Sequence, residues 1–178
     1  MSPVAGPLFA AALLLGAAGL LKVTSPDPTR VALRAAGLPS TALAARTLGA
    51  VEVAITLYTL AVGGRLAAGL ISLTYLGFAG FSFLVIRTSR GKASCGCFGA
   101  SGAPLTNLHV GVDIAIAAVA ALGIVNPVPG LLTVVADTPF FGIPFLVFTG
   151  LLAWLVQVLL TAVPELQAAA RPPRKVAR

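Results

Sequence analysis

The sequence predicts an all-α membrane protein, a polytopic bundle of about five transmembrane helices, and three observations predict it. Mean hydropathy is +1.00, with 58% hydrophobic and only 10% charged residues, too apolar for a soluble domain to cover its surface with polar groups. The apolar residues fall in five runs near the length of about 20 residues that a span needs. The basic residues, finally, are distributed as loops on one side of a membrane would hold them.

The first run covers residues 4–21 and ends at Lys22, with no Lys or Arg before it. It lacks the basic opening of a cleaved signal and reads as a retained first helix. A polar stretch follows, opened by Ser25-Pro26-Asp27-Pro28, whose prolines are expected to stop the helix in an extended turn. Within it, Val31, Leu33, Arg34 and Leu38 make a short mixed segment at the membrane surface, closed by Gly37-Leu38-Pro39. The second run, residues 47–62, breaks at Gly63-Gly64-Arg65, and the third, 66–86, follows at once. These two are expected to form an antiparallel hairpin. The fourth run is 108–125, ended by Asn126-Pro127-Val128-Pro129-Gly130. Residues 131–136 are apolar but too short to span, and the fifth run is 140–163. Pairs such as Gly16 and Gly19, or Gly77 and Gly80, fit close helix packing in lipid. Residues 1–163 therefore read as one bundle, and 164–178 as a basic, disordered tail.

With five alternating spans, Lys22, Arg30, Arg34, Arg46, Arg87, Arg90, Lys92, Arg171, Arg174, Lys175 and Arg178 share one side, and only Arg65 lies opposite. The positive-inside rule then puts the N-terminus outside and the C-terminus in the cytoplasm. The net charge of +7 serves orientation and anionic headgroups, and no nucleic-acid partner is expected.

Both cysteines stand one residue apart in the third loop, in Arg90-Gly91-Lys92-Ala93-Ser94-Cys95-Gly96-Cys97-Phe98-Gly99. Cys95 and Cys97 can approach disulfide distance with Gly96 taking angles closed to larger residues. So small a ring is strained, and strain favours exchange over stapling. Arg90 and Lys92 favour the thiolate, the reactive form. The scarce polar residues of the runs lie at one depth near this loop. Glu52 is six residues beyond Arg46, roughly 9 Å along a helix, and His109 and Asp113 are one helical turn apart. Charge at membrane depth costs on the order of 2.5–3.5 kcal/mol, so these groups are expected to face the bundle and pair. A polar cluster of Lys22, Glu52, His109 and Asp113 beneath the cysteine loop follows. For Lys22 and Glu52 a packing role and a functional one both stay open.

Lys22, the Pro39 segment, Glu52, the Arg-Gly-Lys approach to Cys95-Gly96-Cys97-Phe98-Gly99 and the start of the fourth helix from Leu108 to Asp113 resemble the MauE family. This branch of the DoxX-like membrane proteins usually has five spans, and the resemblance covers about residues 5–125. It implies an inner-membrane protein associated with thiol redox. The family's named member serves methylamine utilisation, helping a thioredoxin-like partner form or transfer disulfides in an amine dehydrogenase subunit. Carried over, Cys95 and Cys97 are the redox pair, Gly96, Phe98 and Gly99 shape their loop, and Glu52 and Lys22 match commonly polar positions. Many members carry Arg-Asn in the fourth helix where this chain has His109 and Asp113.

The leading expectation is thus a plasma-membrane thiol–disulfide component with a thioredoxin-like partner, its electron acceptor open and a lipid quinone among the candidates. A second is a metal site of Cys95, Cys97, His109 and Asp113, a set suited to zinc or Cu(I). A third is a non-catalytic scaffold. The charge count puts the cysteine loop on the cytoplasmic side, whereas the family's role implies the outer side.

Overall fold

The computed structural model describes residues 2–89 and 105–169. Among them are α1 (Ala5–Thr24), α2 (Asp27–Ala35), α3 (Ala42–Ala61), α4 (Gly64–Ser89), α5 (Asn107–Val125), α6 (Leu131–Ala136), a 3-10 turn (Pro139–Gly142) and α7 (Ile143–Ala169). Helices satisfy every backbone group within one segment, which lipid demands. Five of them, α1, α3, α4, α5 and α7, are long and apolar enough to cross a membrane. The protein is a multi-pass helical membrane bundle, as expected.

Its centre is α1. Two thirds of its apolar stretch (67%) is buried inside the protein, against no more than 33% in any other span. The two largest interfaces are α1 with α3 and α4 with α5, and α7 leans on α1. Small residues let the first of these close tightly. A Cβ added at Gly49 would lie 2.6 Å from the Gly19 carbonyl oxygen, and one added at Gly19 would lie 2.7 Å from the Gly49 carbonyl oxygen. Backbone meets backbone at this crossing, the arrangement that small residues permit in lipid. Hydroxyls then tie the helices together: Thr56 Oγ1 donates to the Ala12 carbonyl (2.9 Å), Tyr75 Oη to that of Ala11 (2.8 Å) and Ser72 Oγ to that of Ala117 (2.9 Å).

Four details differ from the sequence-based expectation. Pro26 and Pro28 begin α2 instead of holding an extended turn, because proline's fixed φ suits a first helical turn whose N–H groups need no partner. Gly37, at φ 73°, closes that helix, with Leu38 N–H donating to Leu33 O at 2.9 Å in the pattern of a glycine C-cap. The α3 helix starts at Ala42, before the apolar run, since Thr41 caps it through Ala44 N–H (3.1 Å), and α7 continues past residue 163 to Ala169. Gly77 and Gly80 do not mediate close packing: a Cβ at either meets nothing within 4 Å.

The α3–α4 hairpin has its tight turn, with Gly63 and Gly64 both at positive φ. Gly64 N–H donates to Val128 O at 2.6 Å, which pins the turn to the segment after α5. Beyond the turn the two helices touch only sparsely. They leave a cleft between them, roofed by α2.

Adding one methyl at the crossing should destabilise by about 1–3 kcal/mol, the usual cost of overpacking. Gly49→Ala is therefore expected to lower the unfolding midpoint in mixed micelles, while Gly80→Ala, with open space, leaves it unchanged or raises it slightly through helix propensity. Equal midpoints for the two variants would refute the close crossing.

Candidate functional site

At the end of the bundle where α1 finishes and α3 begins, Lys22 and Glu52 meet. Lys22 Nζ lies 2.8 Å from Glu52 Oε2, and the side chains are 3% and 1% exposed. The expected pairing is present. Lysine near a helix end usually extends its ammonium to the membrane surface, but here the Gly19–Gly49 crossing brings α3 close enough for the carboxylate to hold it inside. Lys22 also sits over the Phe78 ring, 5.3 Å from its centroid. Phe78 is fixed edge-on against Tyr75 (5.7 Å between centroids). The second carboxylate oxygen, Glu52 Oε1, is buried and accepts no hydrogen bond among the described residues.

The pair forms part of the inner wall of the α2–α3–α4 cleft, whose volume is about 420 Å³. Its remaining wall is nearly all apolar and includes Leu33, Val51, Ile55, Phe78 and Phe81, with Gly77 leaving an opening. On the other side of Phe78 a cavity of about 30 Å³ is lined by Ser82, His109, Asp113 and Leu160, room for one water. His109 and Asp113 are both buried, so the four expected polar residues do face the bundle, distributed over two cavities that share Phe78.

His109 has a local task. Its Nδ1 accepts the Thr106 backbone N–H at 3.3 Å, which satisfies one of the free donors at the start of α5. Among the described residues no three His, Cys, Asp or Glu side chains gather as metal ligands would.

Arg90, Lys92, Cys95, Gly96, Cys97, Phe98 and Gly99 lie outside the described residues. The described chain on either side of them is fixed. Thr88 Oγ1 donates to the Ala35 carbonyl of α2 at 2.8 Å, Arg87 stacks on Phe83 (4.7 Å), and Leu105 is buried just before α5. The described chain thus stops at Ser89, beside α2, and resumes at Leu105, just before α5.

The family model of methylamine utilisation protein MauE matches residues 3–126, more than two thirds of the chain. The chain belongs to the MauE family. The MauE match runs from the start of α1 to just past α5 and so contains the ion pair, the cleft and both cysteines, while α6 and α7 lie beyond it. No curated protein and no solved structure matches the chain.

Sequence reasoning passed over Phe78, Phe81 and the Thr106 cap, and took Gly77, which lines the cleft, for a packing site. An aromatic residue in an apolar run carries no mark of its role. A threonine three residues before a histidine does resemble a cap signal, with histidine where glutamate or glutamine is usual.

Removing one partner of the buried pair strands a charge, which typically costs about 3–5 kcal/mol. Lys22→Met and Glu52→Leu are each expected to lose that much stability in micelle unfolding, and the double variant to recover most of it. Additive losses in the double variant would contradict the pairing.

Proposed function

We propose that this protein is an integral membrane thiol–disulfide redox component in which Cys95 and Cys97 exchange a disulfide with a thioredoxin-like partner. The observation that carries this reading is the Cys95-Gly96-Cys97 spacing beside Arg90 and Lys92, within the part of the chain that makes it a MauE protein. The described residues that flank the cysteine segment in sequence support it, since Thr88 and Leu105 lie at the end of the bundle that carries the buried polar groups.

The exchange balances without any further group. A thiolate on one protein attacks a sulfur of the other's disulfide, displacing the second sulfur as thiolate and forming a mixed disulfide. The neighbouring thiolate of the attacking protein then attacks its own bridged sulfur and releases the partner. Two electrons have moved, one protein ending as disulfide and the other as dithiol. Basic neighbours keep the attacking and leaving sulfurs anionic. Methylamine utilisation, the process in the family's description, would supply the partner and its client, an amine dehydrogenase subunit.

For orientation we adopt the charge distribution: N-terminus outside, with the cysteine segment and the C-terminus at the cytoplasmic face of the plasma membrane.

Replacing the resolving cysteine should trap the intermediate. Of the variants Cys95→Ser and Cys97→Ser, one is expected to accumulate a reductant-sensitive adduct with a thioredoxin-like protein in membranes of the native host, and the double variant none. Absence of an adduct in both single variants would overturn the exchange. For sidedness, Arg65→Cys gives an exposed control at the opposite end of the hairpin, in the first turn of α4, that avoids the positive φ of Gly64. After reduction in intact cells, a membrane-impermeant maleimide is expected to label residue 65 of that variant and to reach Cys95 and Cys97 only once the membrane is opened. The reverse pattern would place the cysteines outside.

A further inference from the structure

The α2–α3–α4 cleft combines size with a buried ion pair. Its volume of about 420 Å³ is in the range of small-molecule sites. Its inner wall also carries an ion pair whose second carboxylate oxygen, Glu52 Oε1, has no hydrogen-bond partner among the described residues, on a side chain that is 99% buried. The mouth lies between the lipid-facing sides of α3 and α4, where Leu48 and Val51 are exposed, so an occupant arrives from the bilayer and is itself largely apolar. Its polar end is uncharged. Lys22 is already neutralised by Glu52 at 2.8 Å, which leaves no net charge to hold a phosphate or a fatty-acid carboxylate. The pair still offers both hydrogen-bonding senses: an ammonium has three N–H donors, and Glu52 Oε1 can accept. Phe78 and Phe81 add aromatic surface beside them.

A flat, neutral ring on an apolar tail, bearing oxygens that accept when oxidised and donate when reduced, meets all these conditions. We propose that the cleft binds the ring of a lipid-soluble quinone, with Lys22 donating to a quinone carbonyl and Glu52 Oε1 accepting from a quinol hydroxyl. As a binding site this rests on the cleft alone. As the electron acceptor of the cysteines it rests on the thiol–disulfide reading above.

The test uses the full chain in lipid nanodiscs and a photoreactive azido-ubiquinone analogue with a short tail. Labelling is expected on α2 and α4 around Leu33, Phe78 and Phe81, and excess unlabelled ubiquinone should displace it while phosphatidylglycerol does not. Gly77→Leu places a side chain into open space and should fill the cleft without disturbing the fold. It is expected to cut labelling at least tenfold at an unchanged unfolding midpoint. Labelling spread along all spans, insensitive to Gly77→Leu, or displaced equally by phosphatidylglycerol, would overturn the quinone site. A chain with Cys95→Ser and Cys97→Ser should label as strongly as its parent. Loss of labelling in the parent therefore refutes the quinone site and leaves the thiol reading standing, whereas failed adduct trapping refutes the thiol reading and leaves the cleft.

Discussion

The bundle depends on one buried ion pair held at one close helix crossing. Lys22 and Glu52 are almost fully enclosed, and either charge alone at that depth would be strongly unfavourable. They coexist because Gly19 and Gly49 let the α1 and α3 backbones touch, which brings a lysine near the end of one helix to a glutamate in the middle of the other. Taking both charges out of water offsets much of their attraction, so such a pair contributes little net stability over apolar residues of similar size. What it enforces is register. A shift of α3 along α1 by one turn would drive side chains into the glycine contact and separate the charges.

That constraint shapes the rest of the molecule. With α3 committed to α1 and α4 to α5, the short Gly63–Gly64 turn joins two helices that belong to different pairs, and a cleft opens between them beneath α2. The ion pair lines the cleft from the inside, Phe78 divides it from the His109–Asp113 cavity, and Thr88 and Leu105, the described flanks of the cysteine segment, lie at this same end. Structural necessity and chemical opportunity thus share residues. A glutamate that must be buried to pair with lysine keeps a carboxylate oxygen without a partner among the described residues.

Scarcity is what made parts of this legible in the sequence. A glutamate and a lysine in otherwise apolar helices can be satisfied in few ways, so their pairing followed from energetics alone. The five spans followed from run length, and the family resemblance from the Cys95-Gly96-Cys97 motif and its surroundings. Glycine was less informative. In lipid both faces of a helix are apolar, so nothing in the sequence distinguishes Gly49, jammed against a carbonyl, from Gly77, which faces open space. Helix starts were obscured for a related reason: hydropathy finds the part of α3 within the membrane, whereas the helix is set by the Thr41 cap and the alanines after it. Likewise Pro26 and Pro28 look like breakers until their position at the start of α2 is known. The role of Phe78, touching the ammonium and lining both cavities, depends on tertiary packing and leaves no local trace.

The central proposal is that Cys95 and Cys97 form a reversible redox pair. It is tested most directly by titrating the purified full chain in nanodiscs against graded thiol–disulfide buffers, counting free thiols by mass tagging at each poise. The account predicts a single two-electron transition to an intramolecular disulfide, at a potential within the span of exchange proteins, from about −270 to −120 mV. Thiols that remain reduced across that whole range, or that oxidise only by linking two chains, would contradict it.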